Sequence, residues 1–222
     1  MPDRVFDRRP EFDERSRVFP IRALVEDKPP RSYTWGCPVR LDQGSEGACV
    51  GFAWTQELAA RPKTHGLVTD DLARSVYHEA QLVDPWEDTP PAEGTSVLAG
   101  AKTMQAHGYL GEYRWCFSVD DLKLAVGYAG PVVLGIWWWT EMFDVDGGGY
   151  VHPHGSREGG HAILCNGYSV SERRFKLTNS WGTGWGRNGE CYVVEDDMKY
   201  LLLDEGEACV PTVRTFVPEL RQ

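Results

Sequence analysis

Five stretches decide the fold class: PVVLGIWWW (131–139), HAILCNGY (161–168), RRFKLTN (173–179), ECYVVE (190–195) and ACVPTV (208–213). Each is a short run rich in β-branched and aromatic residues between glycine-rich turns, a composition that reads as strand. Upstream of Gly130 the texture is helical. CVGFAWTQELAAR (49–61) contains the helix formers Ala53, Glu57 and Ala60, with Pro62 as its stop. Asp70 is placed to cap a second helix, whose apolar residues Leu72, Val76, Tyr77, Ala80 and Val83 recur at helical spacing before Pro85. After the polar loop DPWEDTPPAEG (84–94), Thr95–His107 reads as a third helix closed by Gly108, and Ser118 with Asp121 opens a short fourth ending at Gly127. Helices first and antiparallel strands second, with the boundary near 128–131, predict an α+β fold rather than a doubly wound nucleotide-binding sheet.

The chain has 222 residues, 41% of them hydrophobic, enough to bury roughly 70–75% of its unfolded surface in one domain with two lobes. A formal charge of −10 without any Lys/Arg stripe argues against a nucleic-acid partner, whose phosphates demand clustered positive charge. The longest apolar stretch, Val132–Trp139, falls short of the roughly 18–20 residues that span a bilayer, so no membrane partner is expected. Charges from Asp3 to Arg17 break up any secretory signal. The six cysteines (37, 49, 116, 165, 191 and 209) are widely spaced with no CxxC pair, and a reducing intracellular compartment is the simpler reading. Residues 1–34 carry mixed charge and five prolines without an apolar period. They read as an extended arm, either a strap along the domain surface or a docking segment for a larger assembly. Trp137, Trp138 and Trp139 read as two sheet faces plus an edge rather than as a sugar platform.

The chemistry starts with Gln43-Gly44-Ser45-Glu46-Gly47-Ala48-Cys49, where small, flexible residues lead directly into a cysteine that opens a helix. The dipole and free N–H groups of a helix start favour an anion, so a thiol there is expected to ionise more readily. Alone, such a cysteine is as readily an inert core residue. A catalytic thiolate needs an imidazole partner, and the imidazole an orienting acceptor. His161 in Gly159–Leu164 and Asn179 in Leu177–Gly186 supply them, although singly each is an ordinary structural residue. His152-Pro153-His154 lacks further ligands at metal spacing, so no metal or other cofactor is expected, and its glycine-rich loop reads as a lid or subsite wall.

On QGSEGAC (43–49), GGHAILCNGY (159–168) and TNSWGTGWGRNGE (178–190), in that order, the chain resembles the papain-like cysteine peptidases, the family that includes the cathepsins. The likeness covers roughly residues 35–215. It implies a helical lobe over about 35–130, a β-rich lobe over about 131–215, and a cleft between them. By the same resemblance Cys49 is the nucleophile, His161 its acid/base partner, Asn179 the orienter and Gln43 the side-chain donor to the oxyanion. Trp181 shields the His161–Asn179 bond, and the backbone of Gly94 pairs with an extended substrate. Gly135 and Ala162 line a second subsite whose small residues would admit a bulky apolar side chain. The implied partner is a peptide or protein substrate, hydrolysed through a Cys49 thioester.

Several positions depart from the pattern C-G-[SA]-C-[WY], with Glu46 for the first cysteine and Val50 for the aromatic residue. The loss of that cysteine removes a family disulfide and agrees with a reduced environment. His161 follows Cys49 by 112 positions, closer than the usual ~130–150, so intervening loops are trimmed. Gly160 replaces the Asp or Asn of many relatives. The 48 residues before Cys49 are too few for a long inhibitory pro-segment, and the arm is expected to cover the cleft only in part. Two other readings stay open: a thiol amidase or acyltransferase acting on another acyl group, and a papain-like module with a structural or binding role in an assembly.

Overall fold

In the computed structural model, which describes residues 4–25, 28–60, 68–86 and 93–213, the chain leads with two single helical turns, α1 (Glu14–Arg17) and α2 (Arg22–Val25). A two-residue strand, β1 (Tyr33–Thr34), follows. The first half then holds α3 (Cys49–Ala59), α4 (Asp70–Val83), α5 (Val97–Ala106), strand β2 (Glu112–Trp115) and α6 (Val119–Tyr128). The second half contains β3 (Val132–Trp139), a 3-10 turn (Thr140–Phe143), β4 (Arg157–Ser169), β5 (Arg174–Thr178), β6 (Glu190–Val194), α7 (Glu195–Leu203) and β7 (Glu207–Val213). The strands form one antiparallel sheet in the order β2-β7-β3-β4-β5-β6, with β1 added to β4. The architecture is α+β, as the composition predicts.

Helix boundaries follow capping chemistry. The Thr69 hydroxyl, not Asp70, caps α4 by accepting the Leu72 N–H at 3.2 Å, which leaves Asp70 and Asp71 to meet the positive end of the dipole. Ser96 caps α5 through the Ala99 N–H, so that helix starts two residues after the expected Thr95, and Ser118 caps α6 through the Asp121 N–H. The stop expected at Pro62 lies outside the described residues.

Each half also holds an element of the other kind. β2 is only four residues long and exists through its pairing with distant β7, a partner that no local pattern reveals. α7 interrupts the strand-rich half, and its start is marked by Glu195, Asp196 and Asp197. The arm is not wholly extended, because the Asp13 carboxylate accepts the Arg15 N–H at 2.9 Å and winds α1. Nor does it only skirt the surface: Ile21 is fully buried, and its N–H donates to the Trp115 carbonyl at 2.8 Å.

Two cores lie on opposite sides of β3, as period-two alternation requires. Val132, Leu134, Ile136 and Trp138 point into one with Phe175, Leu177 and Trp181. Val133 points into the other with Trp54, Val97, Leu98, Ala162 and Leu164. Every residue of α3 is buried, so this helix is wrapped on all sides and its first residue is fixed at the junction of the two halves. That wrapping demands close approach at Gly51, where a Cβ would collide with the Ala73 carbonyl and come within 2.7 Å of the Tyr77 nitrogen in α4. Gly51→Ala should therefore separate α3 from α4 and cost about 1–3 kcal/mol, despite the gain in helix propensity. A lower urea midpoint with an unchanged m-value is the expected result; a midpoint at or above wild type would show that the helices yield freely.

Candidate active site

Cys49 is the first residue of α3 and is completely buried. His161 lies on β4 opposite Ile136 of β3, and Asn179 directly follows β5, which pairs with β4. Strand pairing thus carries imidazole and amide to one place: His161 Nε2 lies 2.8 Å from Asn179 Oδ1. That oxygen also accepts the Ser180 N–H at 2.8 Å, which fixes the amide so that its oxygen faces the ring. Nε2 must then carry the proton, leaving Nδ1 as the basic atom of the neutral imidazole. Nδ1 is buried with no hydrogen-bond partner. Trp181 and Trp138 enclose the ring, with centroids 5.1 and 4.9 Å away, and exclude water from its bond to Asn179.

Gln43 comes from the loop before α3. Its Nε2 donates to the Glu46 carbonyl at 2.9 Å, while its Oε1 accepts from the Ser180 hydroxyl at 2.7 Å. The Gln43 N–H also donates to the Ser180 carbonyl at 2.9 Å. Ser180 therefore grips Gln43 by main chain and side chain and sets the direction in which its NH₂ points. The sequence contains Ser180 within a motif, but its task becomes visible only once the two loops are adjacent.

The cleft is occupied by the chain itself. Arg4 anchors the start of the arm, donating to Asp42 Oδ1 at 2.8 Å and to the Gly44 carbonyl at 2.9 Å. Phe6 packs among Trp138, Phe143, His161 and Trp181, with centroid separations of 5.4–6.4 Å. The Asp7 carbonyl accepts the Thr95 N–H at 3.1 Å, Arg8 N–H donates to Gly160 at 2.8 Å, and Arg9 N–H donates to Thr95 at 3.0 Å. Residues 6–9 thus lie between the two halves, paired in parallel with Gly160 on one side and Thr95 on the other. This is fuller coverage than the sequence leads one to expect.

Gly94 and Gly135 serve this segment through what they lack. At Gly94, with φ +90°, a Cβ would strike the Asp7 carbonyl; main-chain pairing with the arm falls to Thr95, because the Gly94 N–H donates to the Tyr77 hydroxyl at 3.0 Å. At Gly135 a Cβ would lie 2.6 Å from Arg8 Nε. Ala162 and Glu207 flank Gly135 on the neighbouring strands. The pocket at Gly135 and Ala162, expected to suit an apolar side chain, holds the Arg8 guanidinium, because a carboxylate forms part of its wall. Arg8 and Glu207 form an ion pair at 2.6 Å with both side chains fully buried. Glu207, Phe6, Asp7 and Arg8 were not among the residues singled out from the sequence.

With the arm in place the thiol is not activated. Burial pushes Cys49 up to about 11, and the nearby Asp7 carboxyl adds to the effect, while the N–H groups of Ala162, Asp7 and Val50 oppose it. The same burial, with the charge of Arg4, pushes His161 down to about 4 despite its bond to Asn179. The lowered thiol pKa expected at a helix start is not realised here, since removing water costs the anion more than the helix dipole returns. Cys49 and His161 are therefore both neutral near pH 7. The Asp7 N–H is one of the three that favour the thiolate, whereas the Asp7 carbonyl is held by the Thr95 N–H.

The papain family cysteine protease sequence profile matches residues 37–206. The chain belongs to the papain family of cysteine proteases. It is 24% identical to an uncharacterized peptidase C1-like protein of Acanthamoeba polyphaga mimivirus, over 80% of this chain and 73% of that protein. It is 26% identical to cathepsin B-like CP2 of Giardia intestinalis, over 73% of this chain and about half (52%) of that protein. Among solved structures, xylellain, a cysteine protease from Xylella fastidiosa, superposes with a TM-score of 0.65 at 17% identity, covering 97% of this chain and 95% of that one. ProCathepsin B S9 from Trypanosoma congolense gives 0.63 at 16% identity, covering 94% and 87%.

Within this papain-family fold, all six cysteines are buried and free. Glu46, which stands where the family signature has cysteine, accepts from Arg74 Nε at 3.1 Å and lies 3.4 Å from His78, so polar contacts join the loop before α3 to α4. His152 lies between Asp146 and Asp197, at 3.5 and 3.2 Å, and among the described residues no group of three or more His, Cys, Asp or Glu is arranged to hold a metal ion.

The His161 environment makes a pH prediction. The folded state binds this proton more weakly than the unfolded chain, so stability is present in full above about 6.5 and is lost as pH falls toward about 4. The loss should be on the order of 3 kcal/mol. Denaturant unfolding of wild type and His161→Gln between pH 4 and 6.5 should show a shallower pH slope in the variant; equal slopes would place the titration elsewhere.

Proposed function

We propose that this chain is a thiol peptidase whose own arm holds it latent. The reading is supported by Cys49 at a helix start with the N–H of Ala162, the residue after His161, directed at its sulfur, by a His161–Asn179 pair with an unpartnered Nδ1, and by a cleft that already binds extended main chain. Once the arm leaves and water enters, burial ceases to penalise charge, and transfer of the thiol proton to His161 Nδ1 gives a thiolate–imidazolium pair favoured by the start of α3. The thiolate attacks a peptide carbonyl. The Cys49 N–H and the Gln43 amide then stabilise the oxyanion, each donor of this kind being worth on the order of 10²–10³ in rate. The imidazolium gives its proton to the leaving amine, and the neutral ring activates the water that cleaves the thioester.

Peptides are favoured over other acyl groups because both cleft walls offer main-chain hydrogen-bonding groups, Gly160 on one side and Thr95 on the other, that already grip a peptide. Names of the relatives agree with this reading.

Phe6→Gly removes the aromatic anchor of the arm, about 2 kcal/mol of burial, and should leave the cleft open more often. Labelling of Cys49 by an epoxysuccinyl peptide, and hydrolysis of a fluorogenic peptide amide, should then run about 10- to 100-fold faster than in wild type. Cys49→Ala in the Phe6→Gly background should abolish both while leaving the far-UV circular dichroism unchanged. Folded Phe6→Gly protein that neither labels nor hydrolyses any peptide would overturn the assignment.

A further inference from the structure

Asp70, Arg74 and His78 are spaced four apart on α4 and so lie along one face of that helix. All three engage the loop that leads into Cys49. The Asp70 carboxylate accepts the Asp42 N–H at 3.1 Å. One turn further on, Arg74 Nε donates to Glu46 Oε2 at 3.1 Å, and after another turn His78 Nε2 lies 3.4 Å from Glu46 Oε1. Each oxygen of the Glu46 carboxylate therefore faces its own partner on α4. Arg74 is itself placed over the buried Phe52 of α3, with the guanidinium 5.5 Å from the ring centre.

Glu46 is tied through its main chain to Gln43. Its N–H donates to the Gln43 carbonyl at 3.4 Å, closing a turn that Gly44 permits with φ +66°, and its carbonyl accepts from the Gln43 NH₂ at 2.9 Å. An NH₂ group has two hydrogens, so one remains for an oxyanion, and its direction is fixed by the bond that the other makes. The Ser180 hydroxyl holds the oxygen end of the same amide. Gln43 is thus held from the β-rich half through its oxygen and from α4, by way of Glu46, through its nitrogen. With side chains 33% and 37% exposed, the Glu46–Arg74 pair adds little to folding stability. Its effect is on direction, and misplacing a group at a reacting centre by about 1 Å is enough to cost on the order of 10² in rate. We propose that Glu46 is a positioning residue for the oxyanion donor, anchored by Arg74 so that its main-chain carbonyl aims the free N–H of Gln43. This role rests on the peptidase reading for its effect on rate, and on the loop geometry alone for its hold on Gln43.

The test uses the full chain carrying Phe6→Gly, which uncovers the cleft. Adding Glu46→Ala should lower kcat for a fluorogenic peptide amide about tenfold and leave KM within about twofold, because the groups that grip the peptide are untouched. Arg74→Ala should do the same, whereas Glu46→Gln, still able to accept from Arg74, should retain most of kcat. In a Gln43→Ala background, Glu46→Ala should change kcat by less than about twofold, since a residue that acts through Gln43 has nothing left to aim. Equal losses with and without Gln43, or a rise in KM in place of the fall in kcat, would overturn the assignment. A second readout needs no hydrolysis. The Gln43 side-chain NH₂ signals in proton–nitrogen NMR spectra, identified by their loss in Gln43→Ala, should move toward those of a free amide in Glu46→Ala and in Arg74→Ala. Signals that stay in place would equally overturn it. If Phe6→Gly cleaves no peptide while those signals move, the peptidase reading falls and the hold of Glu46 on Gln43 stands.

Discussion

Because β3 is paired along both edges, with β4 through Val132–Trp139 and with β7 through Val133–Gly135, its register sets more of this molecule than any other single contact. A slip of one residue would turn Trp138 and Ile136 out of their core and present Val133 to the wrong one. The same register brings Ile136 opposite His161 and Gly135 opposite both Ala162 and Glu207. Imidazole and pocket therefore emerge on opposite faces of adjacent residues of β4, and the helix that carries Cys49 packs against that strand. The chemistry of the cleft and the hydrophobic interior share one constraint, so neither can drift without the other.

The arm changes the physical state of the groups it covers. A thiol at the start of a helix and an imidazole held by an amide oxygen are commonly thought of as an ion pair, but ionisation requires that two charges be solvated or tightly joined. Under Phe6 and Asp7 they are neither: the thiol is pushed up to about 11 and the imidazole down to about 4. Thiol, imidazole and orienting amide are all in place, and the exclusion of water keeps the first two neutral.

Local signals in the sequence told much of this. The helix start at Cys49, the caps at Ser118 and near Asp70, the change of texture at Gly130 and the α+β class were legible because each depends on residues close together in the chain. His161 and Asn179 stood out because they sit in distinctive glycine-rich runs. What was not legible depends on distant partners. β2 owes its existence to β7, the task of Ser180 to a loop 137 positions earlier, and the character of the Gly135 pocket to Glu207 on one strand and Arg8 on the arm. Small residues suggested an open apolar space because composition shows the size of a cavity but not the charge that reaches into it. The route of the arm was likewise hidden: nothing in its mixed charges says that Arg8 meets Glu207, 199 positions away.

Residues 10–25 and 28–48 tie the occupant of the cleft to the protein that it covers, and they are themselves docked, through Ile21 on Trp115 and through β1 on β4. Occupant and cleft are thus always present one to one, at an effective concentration set by this tether rather than by how much protein is in solution. Dilution leaves the open fraction unchanged. On the proposal of a latent peptidase, a free peptide meets the cleft only in that fraction, and its apparent dissociation constant is larger than the intrinsic one by the reciprocal of the open fraction.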